Sequence, residues 1–131
     1  MMKRIIHNGK LIAIIIPNDF NKDGIEFFTP NELSQQLAYM KRPKGYIIQK
    51  HKHNNIQRFV ANTLETLFIK SGKVKVDLYD DNNNFIQDLI LTTGDIILLV
   101  SGGHGFTMIE ESEIIEVKQG PYLGDQDKVR F

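Results

Sequence analysis

From Gly45 to Gln119 the chain is divided into short β-rich runs by turn residues. "LETLFIK", "KVKVDLY", "FIQDLIL", "DIILLV", "GFTMI" and "EIIEVKQ" are separated by "SG", "DDNNN", "TTGD", "SGG" and "EES". Each separator is rich in Gly, Asn, Asp and Ser, which tolerate positive φ or cap their own backbone. Runs this short leave no room for helices of ordinary length. Many short strands at regular spacing pack as a sandwich or a small barrel. Nothing in the chain repeats.

The N-terminal third, residues 1–44, reads differently. "KRIIHNGKLIAIII" is two apolar runs about Asn8-Gly9, a hairpin signal because both residues accept positive φ. "PNDFNKDG" is a loop and "IEFF" a short strand. "TPNELSQQLAYM" carries the start signals of one short helix, with Thr29 as N-cap, Pro30 at the first helical position and Glu32 three residues past the cap. "GYIIQKH" alternates and is β-rich, so a strand is expected there. "NNIQRFVANT" is a connection of no assigned form. The tail, residues 120–131, has no periodicity, but Tyr122, Val129 and Phe131 suit a packed segment.

Composition excludes several classes. With 131 residues the chain makes one domain able to bury about two-thirds of its unfolded surface. Lys plus Arg is 16 and Asp plus Glu is 16, so no net charge attracts nucleic acid or an anionic membrane. The longest apolar run, "LIAIIIP", is too short to span a bilayer. "HNG" interrupts the one stretch that resembles a signal peptide, so a cytoplasmic location is expected. There is no cysteine, hence no disulfide and no thiolate ligand.

The chemistry concentrates in the histidines, of which there are four. His51 and His53 are two apart in "QKHKHNN", and on a strand positions i and i+2 share a face. Neighbouring imidazoles on one face are favourable when an ion binds them, and neutral imidazole is the commonest metal ligand. Glu65 begins one downstream strand and His104 follows a Gly pair in another. Converging inside a barrel, His51, His53, Glu65 and His104 offer three imidazoles and a carboxylate. Without sulfur, that set suits Fe(II), Mn, Ni, Co or Zn. His7, beside the Asn-Gly turn, is expected at the surface.

The same residues carry a resemblance to the cupin superfamily. Its first motif runs Gly-x5-His-x-His-x3,4-Glu-x6-Gly and is matched by Gly45, His51, His53, Glu65 and Gly72. Its second, Gly-x5-Pro-x-Gly-x2-His-x3-Asn, is matched by Gly94, Asp95 and "GGH" ending at His104. The resemblance covers Gly45 to about Glu116. It implies an antiparallel jelly-roll β-barrel over residues 45–119, with the N-terminal hairpin and short helix preceding it. It also implies one divalent transition metal on His51, His53, Glu65 and His104.

The chain departs from the pattern at three places. Eleven residues separate His53 from Glu65, and Gln57 occupies the usual Glu spacing, which makes it a substitute ligand. The second motif lacks its proline and is one residue shorter before the His. Met108 replaces its Asn. Near the expected barrel mouth, Arg58 is placed to grip a carboxylate or phosphate through its planar fork. Phe106 is placed to line the cavity. Glu116 and Lys118 share the strand face of Ile114 and form either an interior pair or a surface one. Tyr79 is expected to serve packing.

"GGHGF", "EVKQGPY" and "DKVRF" resemble small single-domain bacterial cupins associated with surface-polysaccharide and nucleotide-sugar pathways, which implies a sugar-like or anionic small-molecule ligand. Three readings stay open: a metal-dependent enzyme on a small polar metabolite, a non-catalytic sugar-binding or sensor module, and a metal-free nucleotide-sugar isomerase or epimerase. The N-terminal hairpin is more apolar than one barrel needs, so a homodimer interface is expected there.

Overall fold

The computed structural model describes residues 1–131. It is all-β and antiparallel. The ten strands are β1 (Lys3–His7), β2 (Lys10–Ile16), β3 (Gly24–Phe27), β4 (Ala38–Lys41), β5 (Glu65–Ser71), β6 (Lys73–Tyr79), β7 (Phe85–Thr92), β8 (Ile96–Leu99), β9 (Gly103–Met108) and β10 (Glu113–Lys118). They form an open five-stranded sheet ordered β1-β2-β8-β5-β10, an open three-stranded sheet ordered β7-β6-β9, and the pair β3-β4. No helix is long and apolar enough to cross a membrane.

The chain divides into two compact units: residues 1–20 with 63–131, and residues 21–62. In the larger unit the five- and three-stranded sheets share one core. Ile12, Leu67, Ile69, Ile97 and Leu99 from the first sheet pack with Val74, Val76, Leu78 and Leu91 from the second. The cause is visible in β6, where "KVKVDLY" buries its even positions Val74, Val76 and Leu78 completely and leaves Lys73, Lys75, Asp77 and Tyr79 partly exposed. In β2, by contrast, Ile12 to Ile16 are all buried. That continuous run marks a central strand covered on both faces. The N-terminal hairpin is therefore part of the main sheet, with Ala13–Ile16 paired to Leu99–Ile96. Asn8 (φ 51°) and Gly9 (φ 75°) make its turn, as the Asn-Gly pair predicts.

A buried carboxylate ties the far end of this hairpin to the sheet. Asp95 accepts hydrogen bonds from the backbone N–H groups of Asn18 and Thr92, both at 2.7 Å, and from the Thr92 hydroxyl at 3.3 Å. Two turn glycines are sterically required. Gly72 (φ 97°) lies against Glu111 and Ser112, and Gly94 (φ 90°) leaves only 2.9 Å between an added Cβ and the Cβ of Asn18.

In the smaller unit, two expectations are corrected. The short helix does not form: Ala38–Lys41 pair with Gly24–Phe27 as a hairpin. Thr29 does not cap a helix, for its hydroxyl bonds Gln36 Oε1 at 2.8 Å and receives the Leu37 N–H at 3.2 Å. The Gln36 amide in turn donates to the carbonyls of Pro30 and Leu33, both at 2.9 Å. This side-chain network closes a compact turn that outcompetes the capping box. Nor is "GYIIQKH" a strand: residues 42–64 carry no ladder. Alternation supplies a strand's face but not the neighbouring edge it needs, and Ile47 and Ile48 stay exposed.

The C-terminal tail contains a 3₁₀ turn over Gly124–Asp127, with the Leu123 N–H donating to Asp127 Oδ2 at 2.9 Å. Phe131 meets the Tyr79 ring edge-on at 5.1 Å. His7, half-exposed, lies 3.8 Å from Asp80.

Candidate functional site

Directly paired residues in an antiparallel ladder point to the same face. Glu65 opens β5 opposite Lys118 of β10 and Leu99 of β8. Leu67 and Leu99 are core residues, so Glu65 and Lys118 continue the core-facing side of the five-stranded sheet. By the same rule Glu116, opposite Leu67, is on that side, at the rim. On β9, His104 pairs with Leu78 and Phe106 with Val76, so both face the core from the three-stranded sheet. β10 and β9 are each the last strand of their sheet. The two edges therefore bring Glu65, Lys118, Glu116, His104 and Phe106 to one end of the sandwich.

The centre of this group is a contact between sheets. His104 Nε2 is 3.3 Å from Glu65 Oε1, with the Glu65 side chain 12% exposed and His104 32%. The Phe106 ring packs at 5.3 Å from the imidazole, tilted by 50°. His104 holds the Glu65 carboxyl below the usual glutamate range by hydrogen bonding. Partial burial opposes this, while the charges of His104 and Lys118 and a hydrogen bond with Glu116 add to it. The Lys118 ammonium also lies 5.6 Å over the Tyr122 ring.

Two further candidates stand together in the smaller unit. His51 and His53 have ring centroids 5.4 Å apart at 76°. They lie on an extended segment rather than a strand, and both are exposed. His51 Nδ1 is 2.8 Å from the carbonyl of Gln49. A carbonyl can only accept, so Nδ1 carries a proton, as it does in an imidazole that ligates through Nε2. Gln57 and Arg58, exposed, line an open hollow of about 490 Å³ with Asn54, Asn55 and Ile56.

The expected ligands thus stand as two pairs, Glu65 with His104 and His51 with His53. No group of three or more His, Asp or Glu side chains is assembled for an ion. The donors themselves, imidazole nitrogen and carboxylate oxygen, fit a divalent transition metal. Sequence reasoning placed Asp95 in the second motif without finding its hydrogen-bond partners, Asn18 and Thr92. It also assigned Tyr79 to packing without finding its partners: the ring meets Phe85 at 5.8 Å and Phe131 at 5.1 Å, beside the backbone of Gly102 and Gly103 that leads into His104. No family model matches the chain, nor does any curated protein or solved structure.

Proposed function

We propose that the protein is a cupin-type jelly roll that holds a divalent transition metal on Glu65 and His104, and that it acts there on a small polar metabolite such as a sugar derivative. The observation that carries this reading is the 3.3 Å separation of Glu65 Oε1 and His104 Nε2. Without an ion the pair is a hydrogen bond at the long end of its range, and the same separation suits two ligands of one ion. Two donors bound at about 2.0–2.1 Å at the tetrahedral angle lie about 3.3–3.4 Å apart, which is the spacing observed. In the smaller unit, the His51–Gln49 contact leaves Nε2 as the ring nitrogen available to a ligand.

When bound, the metal supplies a Lewis acid that polarises a carbonyl or hydroxyl oxygen. The remaining roles belong to the chain. Phe106 packs against the imidazole and covers part of it. Lys118 offsets the negative charge of Glu65 and Glu116 and meets an anionic ligand group. In the smaller unit, Arg58 offers its planar guanidinium to an anionic group. A homodimer forms through the outer edge of β1, where Ile6 is 60% exposed beside an unpaired backbone edge. Sedimentation at micromolar concentration showing only monomer removes that part.

The same contact favours a second reading, in which Glu65 orients His104 as the base of a metal-free isomerase or epimerase. Removing metal with a chelator separates the two. Loss of ligand binding that returns on adding a divalent transition metal supports the metal centre. Proton exchange on a keto-sugar probe that survives the chelator supports the second reading.

A further inference from the structure

We propose that the C-terminal segment, residues 120–131, is a strap that closes over the Glu65–His104 end of the sandwich, with Phe131 and Tyr79 positioning His104. The proposal rests on that pair being the functional site.

The strap leaves β10 directly after Lys118, which faces Glu65. It ends on β9 at Gly103, the residue before His104. Its two ends therefore sit on the two edge strands that bound the site. Tyr79 pairs with Gly103, and alternation puts Tyr79 on the outer face while its neighbour Leu78 is in the core. Phe131 lies across that outer face. A Cβ on Gly103 would sit 2.7 Å from Phe131 Cζ and 2.9 Å from Cε1, so the ring occupies space that only glycine leaves. Gly102 (φ 75°) leaves none either, being closed against the Tyr79 carbonyl. The "GGH" run thus has a steric meaning: both glycines admit close neighbours, and those neighbours set where β9 begins and where the imidazole points.

The latch is light. Phe131 is 63% exposed and Val129 88%. The 3₁₀ turn buries no residue. The Leu123–Asp127 bond lies within the strap and does not tie it down. Tyr122, over Lys118, holds the near end by one cation–π contact. A segment with so little buried area opens locally at low cost, so site access depends on the Phe131–Tyr79–Gly103 latch.

The test uses the metal-stripped full chain and measures the rate of carbethoxylation of His104 by diethyl pyrocarbonate, read by mass spectrometry. Phe131→Ala should raise that rate about three- to ten-fold, the weight of one edge-to-face aromatic pair. Gly103→Ala should match it by expelling the ring, and Phe131→Tyr should stay at the wild-type rate. Amide exchange of β8, deep in the core, should not change. A Phe131→Ala rate within two-fold of wild type overturns the strap, and so does a rise matched by faster exchange in β8, which means general loosening. Failure of the metal reading registers separately, as absent metal uptake with the reactivity pattern intact.

Discussion

His104 Nε2 and Glu65 Oε1, from strands of different sheets, meet at 3.3 Å. Neither strand reaches the other through backbone hydrogen bonds, since β5 pairs with β8 and β10 while β9 pairs with β6. The contact exists because the two sheets share one core and each turns the same face toward it.

Glu65 makes stability depend on acid. Its folded carboxyl lies below the usual value of 4.5, chiefly through its hydrogen bond to His104. A depressed carboxyl adds stability that is present above the unfolded value and is lost as pH falls through the folded one. Denaturant midpoints of the wild type should therefore fall from about pH 4.5 downward more steeply than those of Glu65→Gln. Parallel curves would remove the interaction.

Asp95 should be a structural carboxylate. Removing this buried carboxylate leaves the part-buried N–H groups of Asn18 and Thr92 without their acceptor. Asp95→Ala should cost about 1–3 kcal/mol in equilibrium unfolding, the penalty for removing the acceptor of two part-buried donors, while leaving the affinity for metal unchanged. A loss below about 0.5 kcal/mol would place it among ordinary surface substitutions.

Gly72 should tolerate no side chain. Its φ of 97° is in the left-handed half of the map, and an added Cβ meets backbone atoms of Glu111 and Ser112. Gly72→Ala should destabilise by about 2–4 kcal/mol, combining backbone strain with overpacking. Gly105, with nothing within 4 Å and an ordinary φ, is the control, and Gly105→Ala should be nearly silent in thermal unfolding. Equal effects at the two positions would contradict this account.

What was legible in the sequence was local. "KVKVDLY" could fill only one face of a sheet, and Asn8-Gly9 fits a two-residue hairpin turn whatever surrounds it. The failures needed information from elsewhere in the chain. Thr29, Pro30 and Glu32 satisfy a helix cap, but Gln36 supplied a better partner for Thr29 and β3 a better partner for Ala38–Lys41. "GYIIQKH" has a strand's alternation without an edge to pair with. In the site, Glu116 and Lys118 were rightly put on one face with Ile114. Phe131 signalled packing without a partner, because that partner, a bare Gly103, is hidden by sequence separation.

Metal content tests the central claim most directly. Protein prepared without an affinity tag, offered Fe(II), Mn, Ni, Co and Zn in turn and freed of excess, should hold about one ion per chain of at least one of them. The double replacement Glu65→Gln with His104→Ala should hold none while unfolding cooperatively. Wild-type protein that retains no ion from the series, or a double variant with the wild-type content, would contradict the account.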